Sequence, residues 1–72
     1  MIDKNLTKEL FKQAYNLFTK YADKDLSSPE VLKGYLSEQE EVWYELEKKE
    51  IVLDMLEVVD KLLEVANNEL KS

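Results

Sequence analysis

The chain has 72 residues but only one glycine, Gly34, and one proline, Pro29. Tight turns draw first on those two residue types, so hairpins and sheets have almost no local chemistry to build on. With 44% apolar and 36% charged residues, the remaining composition is that of long helices. The expected fold class is all-α, in one domain covering residues 1–72.

Apolar spacing locates the helices. Leu6, Leu10, Ala14, Leu17 and Tyr21 recur at steps of three and four, widened by Phe11 and Phe18, while Lys8, Lys12, Asn16, Thr19 and Lys20 take the other face. This predicts an N-terminal amphipathic helix over about residues 5–22, with Asp3, Asn5 or Thr7 as N-cap. Residues 23–28 form a loop. Ser28 is the preferred start of the next helix, because the residue before a proline avoids the α region and Pro29 suits the first helical position.

Gly34 and the capping-box pattern Ser37-Glu38-Gln39-Glu40 allow a break in that helix. The stripe Val31, Tyr35, Val42 and Leu46 nevertheless passes through Ser37 in phase, so a helix over 29–36 continues or kinks into one over 38–70. Beyond Leu46 the apolar phase changes, and most of the later apolar residues lie opposite Val42 and Leu46. No Gly, Pro or Asn stands in Leu46-Glu47-Lys48-Lys49-Glu50. The expectation is one long helix that changes its buried face near residue 48. A three-helix chain that reverses near Lys48-Lys49 is the competing arrangement, disfavoured by the missing turn residues.

A helix over 38–70 would be about 50 Å long, whereas a compact chain of this size has a radius of gyration of about 11 Å. Half of such a helix needs cover from outside. Val52, Met55, Val59, Leu62 and Ala66 fit alternating a and d positions of a heptad, with Leu56 and Leu63 beside them. These seven are the expected dimer interface. The expected architecture is thus an N-terminal helix packed on a long C-terminal helix, as a helical hairpin or three-helix unit, dimeric through the C-terminal helix.

Function is bounded mainly by what is missing. Without histidine or cysteine, the usual nucleophile and base pairings and zinc sites cannot be built, and no glycine-rich loop is present to cradle phosphate. No enzymatic role, metal or cofactor is expected. All ten basic residues are lysine, which removes the bidentate reader of phosphates and bases, so direct nucleic-acid binding is not expected. No stretch approaches a membrane span or a signal sequence, and the reading is a cytoplasmic protein with no membrane partner.

The net charge of -6 is uneven: residues 1–36 carry six lysines against five acids, and residues 37–72 carry four lysines against eleven acids. Glu50, Asp54, Glu57, Asp60 and Glu64 form an acidic line at helical spacing. That line is either the solvated back of a dimer seam or a decoy that imitates a nucleic-acid backbone. Trp43 and Tyr44 point about 100° apart on a helix, so both cannot enter one narrow stripe. Together with Tyr35 they are the candidate surface for a further protein partner. The sequence reads as a non-enzymatic helical interaction module, a small acidic adaptor or regulator of the inhibitor, antitoxin or assembly-factor type. Its expected partners are a second copy, bound through residues 51–70, and an unidentified protein. The alternative is the acidic decoy.

Overall fold

The computed structural model describes residues 3–71, and its secondary structure is entirely helical. Helix α1 spans Lys4–Tyr21, α2 Pro29–Glu45 and α3 Glu50–Lys71. Asp3 is the N-cap of α1: its Oδ1 accepts the backbone N–H of Asn5 at 2.9 Å, and the Thr7 hydroxyl donates to its carbonyl at 3.0 Å. The first of these satisfies a backbone donor that the first turn of a helix leaves free. Ser28 caps α2 through its backbone alone, with Pro29 inside the start. Helix α2 then runs through Gly34 and Ser37 without interruption.

The expected helix over 38–70 does not form. Helix α2 stops at Glu45, and the chain reverses through Leu46-Glu47-Lys48-Lys49 before α3 begins. Glu47 N–H donates to the Tyr44 carbonyl at 3.1 Å, and Lys48 N–H to the Trp43 carbonyl at 2.8 Å. This is the paired closure of a Schellman motif, which normally places a glycine where Glu47 stands. Here Glu47 has φ 65° and Lys48 φ 55°, both in the left-handed region. The change of apolar phase near residue 48 therefore marks a reversal of the chain and not a new face on one helix.

Reversal lets the chain cover its own aliphatic stripe. Leu10, Ala14, Leu17 and Tyr21 of α1 meet Tyr35, Val42 and Leu46 from the α2 side, and Val52, Leu56, Val59 and Leu63 of α3. Val52 and Leu63 have no exposed surface at all. Burying an aliphatic side chain of this size contributes about 1.5–3 kcal/mol. Each helix touches both others, and the bundle measures 43 × 20 × 16 Å. A single 33-residue helix would be about 50 Å long and exceed every one of those dimensions.

Polar bonds fix the register between helices. Asn67, buried within α3, accepts the Leu26 N–H at 2.8 Å through Oδ1 and donates to the Leu63 carbonyl at 3.2 Å, tying the first loop to the third helix. Tyr35 hydroxyl donates to Asp60, and Gln39 Nε2 donates to Asp60 at 2.7 Å, joining α2 to α3. Lys20 bridges to Glu38, joining α1 to α2 beside the Tyr21 phenol. The Tyr21 and Tyr35 rings meet edge to face, with centroids 5.2 Å apart.

Candidate interaction surface

Helix α2 occupies one side of the α1/α3 pair, and the other side is left open. The reason lies in residue spacing. On α1, Leu10, Ala14, Leu17 and Tyr21 point inward, and at 100° per residue Phe11, Phe18 and Tyr15 fall on the flank away from α2. On α3, Val52, Val59 and Leu63 point inward, and Ile51, Met55, Val58 and Leu62 fall on the matching flank. Phe11 stays 61% exposed and Tyr15 68%, while Ile51, Val58 and Leu62 are each about half exposed.

These flanks enclose a groove. Its first section, about 530 Å³, is lined by Leu6, Leu10 and Phe11 of α1 and by Ile51, Met55 and Val58 of α3. A second section of about 230 Å³ continues it along Ala14, Tyr15 and Phe18 against Met55, Val59 and Leu62. Phe11, Met55 and Val58 belong to both sections, so the two form one apolar channel along the pair. The shared lining also fixes direction: residues 6–11 lie level with 51–58, and 14–18 with 55–62, so α1 and α3 run parallel. Asp54 is the one charged side chain among the lining residues.

The expected dimer interface divides on this geometry. Val52, Leu56, Val59 and Leu63 are consumed by the chain's own core, because the reversal at 46–49 brings α3 against α1 and α2. Met55 and Ala66 are half-buried, and Leu62 lies exposed on the groove. Phe11 and Tyr15, which complete the surface, come from the first helix. Phe11 is thus not part of the buried stripe it was expected to widen; its angular offset and that of Tyr15 from Leu10 and Ala14 carry the signal for this surface.

The expected partner-binding trio divides as well. Tyr35 is only 3% exposed and belongs to the core, where its ring meets Tyr21 and its hydroxyl meets Asp60. It is therefore no surface contact. Trp43 is half-buried against the core. Tyr44 is exposed, with the Lys48 ammonium 4.5 Å from its ring centre. That cation–π contact helps hold the reversal.

All five residues of the acidic line are exposed, but they wind across α3 from one groove to the other. Asp54 borders the apolar channel, whereas Asp60 and Glu64 border the opposite, α2-facing side. Asp60 is engaged by Tyr35 and Gln39, and Glu57 pairs with Lys61 at 3.6 Å. The line is not one uniform anionic strip.

The perturbed titrations belong to the pins between helices. Hydrogen bonding to Glu38, with burial and the negative charge of that carboxylate, pushes the Tyr21 phenol up to about 12. Burial raises Tyr35 well above the ordinary phenol range, reinforced by its bond to Asp60. Partial burial alone would raise Glu38, but hydrogen bonds from Lys20 and Tyr21 and the charges of Lys20 and Lys24 outweigh it and hold the carboxyl below its ordinary value. Each group is tied to another helix, and their arrangement locks the bundle.

Among the described residues no helix is long and apolar enough to cross a membrane, and no cluster of acidic side chains is placed to hold a metal ion. Comparison with protein-family models, with curated proteins and with solved structures gave no match.

Proposed function

We propose that the protein is a non-enzymatic interaction module that receives an apolar surface of a protein chain in the channel between α1 and α3. The observation that carries this reading is the continuity of the channel: Phe11, Tyr15, Ile51, Val58 and Leu62 are large, apolar and exposed along one face. Contiguous apolar patches rimmed by polar residues mark binding sites more often than they persist on free monomers. Aromatic side chains add the contact area that binding energy concentrates on. A groove between parallel helices suits a helix, whose own ridge of side chains fills the space between them.

A photo-crosslinking amino acid at position 15, in cells of the native host, tests the reading. Adducts to protein are expected from position 15 and not from position 40, an exposed residue of α2 outside the channel. Absence of any protein adduct at position 15, or equal labelling at both positions, would remove the proposal.

A further inference from the structure

The charges that flank the channel identify its occupant. At 100° per residue, Lys8 and Lys12 stand on the outer side of α1 beyond Phe11 and Tyr15, and Lys4 lies between those two at the helix start; all three are exposed. On α3, Asp54 stands next beyond Ile51 and Val58, with Lys61, Glu50 and then Glu57 further round the helix, all of them exposed. One side of the apolar face carries three lysines, and the other carries three acids against the single Lys61. Because residues 6–11 lie level with 51–58, Lys4 stands at the height of Glu50, Lys8 at that of Asp54 and Lys12 at that of Glu57.

Within one chain those partners are held apart by the width of the channel. We infer that the occupant is a second copy of this chain, related by a two-fold axis parallel to α1 and α3; this rests on the interaction-module reading above. That axis keeps heights unchanged and lays α1 of one subunit over α3 of the other. Lys4, Lys8 and Lys12 then face Glu50, Asp54 and Glu57 of the partner subunit, twice over, while Phe11, Tyr15, Ile51, Val58 and Leu62 from both copies close the centre. Such a face is self-complementary, as a two-fold interface must be. A two-fold perpendicular to the helices would instead set α1 on α1, lysine against lysine, and its charges would repel. Glu57 already holds Lys61 within its own chain, so the first two pairs set the register most strongly.

The full chain is tested by sedimentation equilibrium at low salt, with circular dichroism confirming that each variant remains helical. Phe11→Glu should abolish the dimer. Lys8→Glu/Lys12→Glu and Asp54→Lys/Glu57→Lys should each associate about tenfold more weakly or worse, since every swapped pair becomes repulsive. Mixed in equal amounts they should recover an affinity near that of the unaltered chain, because the mixed dimer restores every pairing. The absence of cysteine supplies a second readout: Lys8→Cys and Asp54→Cys chains should form a mixed disulfide when oxidised together, and neither should crosslink alone.

A disulfide in Lys8→Cys alone would overturn the axis, and a dimer indifferent to Phe11→Glu would overturn the face. A monomer at all concentrations would overturn the second copy as occupant. In that last case an adduct to another protein at position 15 would leave the interaction-module reading standing, and no adduct would remove both.

Discussion

Between α1 and α2 the chain turns with residues suited to turning, whereas between α2 and α3 it turns with residues that would serve a helix equally well. In the first connection, Asp25 Oδ1 accepts both the N–H of Ser27 at 2.9 Å and its hydroxyl, Ser28 N–H reaches the Asp25 carbonyl, and Asn67 receives Leu26. Pro29 then starts the next helix. Local side chains and one distant amide share the task. In the second, Leu46-Glu47-Lys48-Lys49 has no turn former, and backbone bonds to Trp43 and Tyr44 close it while two non-glycine residues sit at positive φ. A residue in that region is strained by roughly 1–2 kcal/mol. The burial of Val52, Leu56, Val59 and Leu63 against the other helices outweighs that strain. The first turn is written locally, and the second is imposed by packing.

The largest test of this contrast is Asn67→Ala, which leaves the Leu26 N–H without its acceptor inside a partly buried site. The loss should be on the order of 2 kcal/mol, a fall of roughly 10 °C in Tm. A near-neutral result in calorimetry would show that Asp25, Ser28 and Pro29 close the first connection unaided. Next comes Glu47→Gly, whose sign separates the two possible paths of the chain. With Glu47 at φ 65°, glycine should stabilise the bundle by about 1 kcal/mol. In an uninterrupted helix it would destabilise by about the same amount, so a lower midpoint in denaturant would contradict the reversal.

Smaller effects are expected from the charges that close α1 on α2 beside the first connection. Glu38 has a folded pKa below its unfolded value, so its contribution is present above the unfolded pKa of about 4.5. It should disappear as pH falls through the lower, folded value. Tyr21 behaves in the opposite sense: its contribution is complete below pH 10 and fades as the pH rises toward about 12. Glu38→Gln should flatten the acid limb of a plot of Tm against pH, and an unchanged limb would assign acid sensitivity to other carboxyls.

The smallest effect concerns Gly34, where an added Cβ would lie 3.2 Å from the Tyr21 hydroxyl. Glycine inside a helix is unfavourable by about 1 kcal/mol relative to alanine, but the phenol above it is held in the core with its ring against Tyr35. Gly34→Ala should therefore change stability by only a few tenths of a kcal/mol in the native background, and raise it by closer to 1 kcal/mol beside Tyr21→Phe. Equal effects in both backgrounds would mean that the hydroxyl does not explain the glycine.

The features legible in the sequence follow the same division. The all-helical class, the span of α1, the loop and the Ser28-Pro29 start could be read from composition, period and caps, because each depends on neighbours in the chain. The end of α2 could not, since the usual mark of a Schellman closure is glycine and Glu47 occupies its place. Two clues did exist: the apolar phase broke near residue 48, and the implied helix was too long for a chain of this size. Both fit equally well with one helix that changes its buried face and takes cover from a second copy, because no glycine marks the reversal. The candidate surface was legible in part. Leu62 and Met55 were named, but Val52, Leu56, Val59 and Leu63 turn inward once the chain reverses, and Phe11 and Tyr15 join them only when α1 and α3 lie side by side. Asn67 carried a signal that period alone offers: an amide four residues after Leu63, on the inward face of an aliphatic helix.

The reversal at Glu47 and Lys48 also bears on the order in which the bundle assembles. Leu46, Glu47, Lys48 and Glu50 are good helix formers, and helix turns wind and unwind within nanoseconds per residue. While α3 is apart from α1, local preference alone favours winding this segment on as a continuation of α2. The chain then has to unwind about one turn and enter the left-handed region twice before its ends can meet. Because winding and unwinding one turn are equally local and fast, the cost of that step falls on the stability of the closed form and is offset by the aliphatic residues that closure buries.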